Sequence, residues 1–263
     1  MKGLKGRIAI VTGGSTGIGL ATVIRLAQEN CKVGIIDLNE LDFNENLDAF
    51  KDNIHLVRCD ITADNQIEDA VKEIADKFGP PSLLVNNAVT FILKGIDATV
   101  EEMDKICQTN IRGTSRVTHF TLPFLRQNKN CSIVNISSIS GFIGQQNFAT
   151  YTATKFALRG LVKSWAVDLA KENIRVNSVC PGCVQTDGFV NSIKKMGMTL
   201  ERAQKEYGKT HLLNRIAQPS EIAAAVAFLL SEDASFITGS DLIVDGGYLA
   251  AIEKDIEKNF VAY

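Results

Sequence analysis

The chain has 263 residues, 45% of them apolar, and a formal net charge of −2. That composition supplies a large core, and with no block of like charge it gives no reason to expect nucleic acid as a partner. No apolar stretch approaches the length needed to cross a bilayer, so no membrane association is expected either.

Arg7 to Thr12 is a short, β-branched, almost wholly apolar run, as expected for a parallel strand buried on both faces. The positive charges before it superficially suggest a secretion signal. The run is too short for one and leads directly into a glycine loop, so the chain is read as cytoplasmic. The loop is Thr12-Gly13-Gly14-Ser15-Thr16-Gly17-Ile18-Gly19, followed by an amphipathic helix from about Ile18 to Glu29. Strand, glycine loop and helix N-terminus in that order make a pyrophosphate cradle, because glycines let the backbone approach and free N–H groups attract the anion. A second strand, Lys32 to Ile36, ends at Asp37. An acidic residue there can accept hydrogen bonds from the adenosine ribose hydroxyls and would repel a 2′-phosphate. Neither Thr16 nor Leu38 supplies an offsetting cation, so the pattern favours NAD over NADP; the bland alternative is a solvated turn Asp.

The segment 38–50 is polar and is expected to be a loop with a short helix. Ile54 to Cys59 reads as a third strand ending at Asp60-Ile61-Thr62, and Asp64 to Phe78 as a helix with apolar residues at Ile67, Val71, Ile74 and Phe78. Gly79-Pro80-Pro81 breaks it. Ser82 to Val85 is the fourth strand, closing at Asn86-Asn87-Ala88-Val89, where the paired Asn suit either support of neighbouring strand ends or a simple polar turn. One long helical region is expected from Val100 to about Arg126, containing Asn110. Cys131 to Ile136 is the fifth strand and delivers Ser137-Ser138.

The next helix, to about Glu172, carries Tyr151 and Lys155. Four residues apart, they share one helix face, so the ammonium can lie near the phenol and pull its pKa down from about 10 toward neutrality. A serine hydroxyl at the same point, Ser138, can hydrogen-bond a substrate oxygen whose charge changes. Ile174 to Val179 is a sixth strand ending in Pro181-Gly182. Cys180-Pro-Gly-Cys183 has redox or zinc spacing without a second ligand pair, so no metal is expected, and the six scattered cysteines read as reduced packing residues. Segment 188–213 shows no clear period and is read as a substrate lid. Pro219 to Leu230 is a firm helix, and Leu242 to Val244 a last strand before Asp245-Gly246-Gly247.

There are no repeats or linkers, so residues 1–263 are read as one domain. Alternating strands and helices predict an α/β, doubly wound, Rossmann-type fold: a mostly parallel seven-stranded sheet with helices on both faces. Its ligand crevice lies at the carboxyl ends of the strands, and Gly13, Asp37, Asp60, Asn87, Ser138 and Pro181 all fall there.

Taken together, Thr12 to Gly19, Asp60, Asn86-Asn87-Ala88, Asn110, Ser138, Tyr151 with Lys155, and Pro181-Gly182 with Thr186 resemble the short-chain dehydrogenase/reductase family in its compact, non-extended branch. The resemblance runs from roughly Leu4 to Leu249. It implies that Tyr151 is the acid/base, that Lys155 binds the nicotinamide ribose and lowers the Tyr pKa, that Ser138 holds the substrate oxygen, and that Asn110 anchors a water in a proton relay. The cofactor would be held by Gly13, Ser15, Thr16, Gly17, Ile18 and Gly19, by Asp37, by Asp60 and Ile61 beside the adenine, and by Asn87 and Ala88. Tyr151, Lys155, Pro181, Gly182 and Val184 would complete that set, with Thr186 at the carboxamide. Gln145, Phe148, Cys183 and Phe189, with Val89, Ser140 and Phe142, would line a pocket of apolar walls and one amide, suited to a cyclic or medium-sized alcohol with a polar substituent. The family forms dimers or tetramers through its long helices and C-terminal strand, so a homotetramer or homodimer is expected.

The chain departs from the family pattern twice. Val89 stands where a Gly is usual and can narrow the cleft, and Pro80-Pro81-Ser82 replaces an acidic residue before the fourth strand. The expected activity is NAD-dependent interconversion of a secondary alcohol and a ketone. The alternatives are reduction of a 3-oxoacyl thioester on a carrier protein and, from another class, a non-enzymatic dinucleotide-sensing or scaffold protein on the same fold.

Overall fold

The apolar runs pair side by side as strands in a computed structural model that describes residues 1–41 and 45–250. Positions 42–44 of the segment expected to be loop and short helix, and the 251–263 end of the expected domain, lie outside the described residues. The strands are β1 (Ile8–Thr12), β2 (Lys32–Asp37), β3 (Ile54–Arg58), β4 (Leu83–Asn86), β5 (Ser132–Ile136), β6 (Arg175–Pro181) and β7 (Asp241–Val244). They form one sheet in the order β3-β2-β1-β4-β5-β6-β7, and every neighbouring pair is parallel. Strand order reverses between β1 and β4, which opens a crevice above their carboxyl ends.

The connections are α1 (Gly17–Gln28), a short α2 (Glu45–Asp48), α3 (Asp64–Phe78), α4 (Val100–Cys107), α5 (Thr114–Leu125), α6 (Ala149–Leu169), α7 (Asp187–Lys195), α8 (Leu200–Gly208) and α9 (Pro219–Leu230). Side chains of a strand alternate between faces, and both faces here are buried. On β1, Ala9 and Val11 pack with Val23 and Leu26 of α1 and Ile222 and Val226 of α9. Ile10, between them, packs on the other side with Ile67, Val71 and Ile74 of α3, Val117 of α5 and Val162 of α6. Each such fully buried aliphatic side chain contributes about 1.5–3 kcal/mol relative to exposure.

Two elements differ from the sequence reading. The long helical region expected over 100–126 is helical throughout, but it contains an unexpected π-helical stretch at Gln108–Gly113, which widens the coil around Asn110. The 188–213 segment, expected to have no regular period, contains α7 and α8. Each is nine residues long and buries little, Ile193 on α7 and Ala203 and Gly208 on α8. Nine residues make only about two and a half turns, too short for a spacing to stand out in the sequence, and the helices start at the capping threonines Thr186 and Thr199, which accept from Phe189 N and Arg202 N.

Candidate active site

The glycine loop leaves β1 by close backbone approach. A Cβ on Gly19 would lie 1.9 Å from the Gly13 carbonyl oxygen, so only glycine lets α1 begin this close to the strand end. Gly17 adopts φ +56°, and a Cβ there would come within 3.3 Å of Thr186 on the β6–α7 connection. The first turn of α1 has no side-chain cap bond and no acidic residue of its own, so its first N–H groups are uncapped at the positive end of the helix dipole, a geometry that suits an anion. Residues 13–19 therefore fit the diphosphate of a dinucleotide.

Asp37 closes the other side of the loop. Its Oδ2 accepts from Ser15 N at 2.9 Å, and its Oδ1 accepts from Asn39 N at 3.0 Å. The carboxylate thus braces the loop, a role the sequence pattern does not show. Arg58, the neighbour of Asp37 in register, donates its Nε to the Leu38 carbonyl at 3.3 Å. Asp60 accepts from the backbone and hydroxyl of Thr62, both at 2.8 Å, and Ile61 is 6% exposed, packed against Gly113 of the π-stretch.

The paired asparagines support strand ends rather than forming a simple polar turn. Asn86 Nδ2 reaches Thr118 and Asn135, while Asn87 Nδ2 donates to the carbonyls of Thr12 and Gly13 at 3.0 and 2.9 Å. The Thr12 hydroxyl accepts from the N–H groups of Asn87 and Ala88, both at 3.0 Å. This latch fixes β1 to β4 at the switch point. Asn110 fixes the next layer: its Oδ1 accepts from Thr90 N at 2.8 Å, and its Nδ2 donates to Thr90 O at 3.1 Å and Thr154 Oγ1 at 3.2 Å. The side chain is thereby spent on Thr90 and α6.

Tyr151 and Lys155 lie in the first turns of α6, 8% and 3% exposed. The helix is docked to the end of β5 by two bonds, Lys155 Nζ to Ile136 O at 2.8 Å and Ser137 Oγ to Lys155 O at 3.0 Å. Lys155 Nζ sits 5.3 Å from the centre of the Tyr151 ring. Ser138 is a hydrogen-bond partner of the phenol, and its Oγ accepts from Ser140 N at 3.1 Å. The expected lowering of the Tyr151 pKa by Lys155 is not what this geometry gives. Burial drives the phenol above its ordinary value, and the Ser138 hydrogen bond only partly opposes it. Burial also brings the Lys155 ammonium down to about 8. Both groups are dry, and both resist charge.

Phe148 meets the Tyr151 ring edge-on at 6.4 Å, and Gln145 accepts from the Ser140 hydroxyl. Phe189 instead packs edge-to-face on Tyr207 of α8 at 5.4 Å, which ties the two helices of the 188–213 segment together. The Cys183 thiol is raised to about 11 by burial. Val184 pairs with Ala217 in an isolated bridge, and Gly182 N donates to Val244 O.

Two residues of the site escaped the sequence reading. His211, 3% exposed, accepts from Cys183 N at 3.1 Å through Nε2, while its Nδ1 faces the Tyr207 carbonyl at 3.0 Å. A Cβ on Gly182 would lie 2.7 Å from that Nε2. Its one signal is scarcity, since the chain has three histidines. Phe91 stacks on Tyr151, ring centres 5.1 Å apart and planes at 22°; attention in the sequence falls on Val89, two residues earlier.

A family model described as enoyl-(acyl carrier protein) reductase matches residues 13–249. Cyclopentanol dehydrogenase of Comamonas sp. is 39% identical over 249 residues, covering 93% of this chain and 97% of that protein. A 3-oxoacyl-acyl-carrier-protein reductase of Thermotoga maritima is 32% identical, covering 93% and 98%. Among solved structures, the ligand-free aldohexose dehydrogenase of Thermoplasma acidophilum superposes with a TM-score of 0.87 at 34% identity, covering 94% of this chain and 96% of that one.

Proposed function

This chain belongs to the short-chain dehydrogenase/reductase family, an oxidoreductase acting on CH–OH groups, and we propose that it interconverts a secondary alcohol and its ketone with NAD, Tyr151 serving as acid/base. The observation that carries the reading is the convergence of the Ser138 hydroxyl, the Tyr151 phenol and the Lys155 ammonium at the end of β5.

A nicotinamide dinucleotide supplies the hydride acceptor for oxidation and the donor for reduction. Gly13 to Gly19, with the free N-terminus of α1, would hold its diphosphate; Asp37 would face the adenosine ribose, and Lys155 the nicotinamide ribose. Ser138 hydrogen-bonds the substrate oxygen and holds it against the phenol. In ketone reduction, Tyr151 gives its proton to that oxygen, a task that suits a phenol kept neutral by burial. In alcohol oxidation the phenolate must take the hydroxyl proton, and the buried Lys155 is the nearby group able to offset its charge. Asn110, whose amide is committed to Thr90 and Thr154, would serve a proton relay from the π-stretch rather than through its side chain. Residues 188–213 are read as a lid over Cys183 and Thr186. Assembly into a homodimer or homotetramer is supported by exposed apolar side chains on α6 (Phe156 and Val167) and β7 (Ile243).

The likeness to a cyclopentanol dehydrogenase and the phenylalanines beside Tyr151 favour an alicyclic alcohol. The likeness to a 3-oxoacyl-acyl-carrier-protein reductase keeps a second reading in view. Assay of cyclic and linear secondary alcohols with NAD and NADP, and of acetoacetyl thioester with NADH and NADPH, separates them. Turnover of secondary alcohols with NAD, lost at least about a hundredfold in Tyr151→Phe while NAD still binds, is the expected result. Thioester reduction alone would favour the second reading, and NAD binding without turnover of any substrate the non-enzymatic one.

A further inference from the structure

Phe91 is out of place for a packing residue. Its side chain is 64% exposed, whereas the Tyr151 ring it covers is 8% exposed. One face of Phe91 lies on the phenol ring and the rest of the side chain is largely open to solvent, so Phe91 is the layer between Tyr151 and the outside. Phe148 closes a second side of the same ring edge-on.

The backbone that presents Phe91 is held on both flanks. Before it, Thr90 is bound through N–H and carbonyl to Asn110, and its hydroxyl reaches Thr109 at 3.2 Å. After it, the Ile92 carbonyl accepts from the Thr150 hydroxyl, and Lys94 N donates to the same oxygen of Thr150 at 3.2 Å. Thr150 immediately precedes Tyr151 on α6. Hydrogen bonds to the buried side chains of Asn110 and Thr150 are thus spent on fixing a loop that carries an exposed aromatic. A loop anchored in this way holds Phe91 in register with the phenol and leaves mainly its side-chain rotation free.

On the reading of the reaction given above, we infer that Phe91 is a specificity-determining residue whose ring forms the apolar wall for the carbon skeleton of the substrate alcohol. The reacting oxygen must reach the hydroxyls of Ser138 and Tyr151. The skeleton attached to it then leaves the phenol past the two phenylalanines that border the ring. Apolar contact is gained in proportion to the area buried, so a five- or six-membered alicyclic ring gains more against Phe91 than the two methyl groups of propan-2-ol. Phe91 thereby selects compact alicyclic alcohols over small acyclic ones. Sequence inspection passes over it because a single Phe in a loop has no spacing partner; the contact exists only once the loop after β4 is brought against α6.

The test compares wild type, Phe91→Ala and Phe91→Leu on cyclopentanol, cyclohexanol and propan-2-ol with NAD, across the pH range in which the enzyme is stable. In Phe91→Ala, the ratio of kcat/KM for cyclopentanol to that for propan-2-ol should fall at least tenfold, equivalent to about 1.4 kcal/mol, mainly through KM. Phe91→Leu should recover part of the loss, and the pH profile should keep its midpoint. An equal loss on all three alcohols, or a shift of the pH midpoint common to them, would overturn the assignment by making Phe91 a residue that only seats Tyr151. An unchanged ratio would overturn it as well. A wild type that oxidises no secondary alcohol overturns the reaction itself, and this inference with it, a result distinct from an active wild type whose selectivity ignores Phe91.

Discussion

Lys155 hands its ammonium to the Ile136 carbonyl at 2.8 Å while standing 5.3 Å from the centre of the Tyr151 ring. The lysine is therefore both the bolt that docks α6 onto the end of β5 and the cation nearest the phenol. Its burial has an energetic cost that depends on pH.

The Lys155 pKa of about 8 lies below the 10.5 of an exposed lysine. Below about pH 8 the folded protein buries an ammonium that the unfolded chain leaves in water, and stability is lowered. Between about pH 8 and 10.5 the native state has released its proton and the unfolded chain has not, so stability rises with pH. Tyr151 acts in the opposite sense above about pH 10, where the unfolded chain ionises first. The stability difference between Lys155→Met and wild type should therefore move in favour of wild type by about 2–3 kcal/mol from pH 7 to pH 10. Urea unfolding of the cofactor-free proteins at several pH values measures it, and a difference independent of pH would contradict the assignment.

Asp37 should set the cofactor preference. Charge-assisted hydrogen bonds to ribose hydroxyls are worth about 1.5–3 kcal/mol, and the same carboxylate repels a 2′-phosphate. NAD should be preferred over NADP by at least about a hundredfold in kcat/KM, and Asp37→Ala should shrink that preference from both sides. Because Asp37 also braces Ser15 N, the variant should lose some affinity for both cofactors. Equal use of NAD and NADP by wild type would show that a cation reaches the 2′-position, with Arg58 on the neighbouring strand the first candidate.

The 188–213 segment should be the first site of proteolysis. Lys194 and Lys195 end α7, and Met196 beyond them is 65% exposed. Trypsin should cut there in the cofactor-free protein and be slowed by NAD with substrate. Equal cleavage in both states would argue against a lid.

His211→Ala should weaken NAD binding without touching the phenol. Removing the ring leaves Cys183 N, between Gly182 and Val184, without its acceptor in a part-buried position, at a cost of about 1 kcal/mol. The expected outcome is a lower Tm together with a several-fold higher Kd for NAD by calorimetry. An unaltered Kd would confine His211 to stabilising the fold.

Much of this molecule was legible in one dimension because its cues are local. Buried parallel strands read as short β-branched runs, the helices at 64–78 and 219–230 carry their own periodicity and breakers, and the glycine loop declares itself by lying between a strand and a helix. Tyr151 and Lys155 are four residues apart on one helix, so their shared face follows from helix geometry alone. What the tertiary structure decided is everything that depends on elements distant in the chain. The π-stretch at Asn110 is stabilised by Thr90, twenty residues away, and by Thr154 on α6, so no local propensity announces it. α7 and α8 are nine residues each, too short for their spacing to stand out from the surrounding sequence. His211 and Phe91 acquire their partners only when the β6–α7 connection meets the end of α8 and the loop after β4 meets α6. The direction of the Tyr151 pKa was likewise beyond the sequence, because spacing reveals which charge is near but not how much water has been removed, and here desolvation outweighs the Ser138 hydrogen bond.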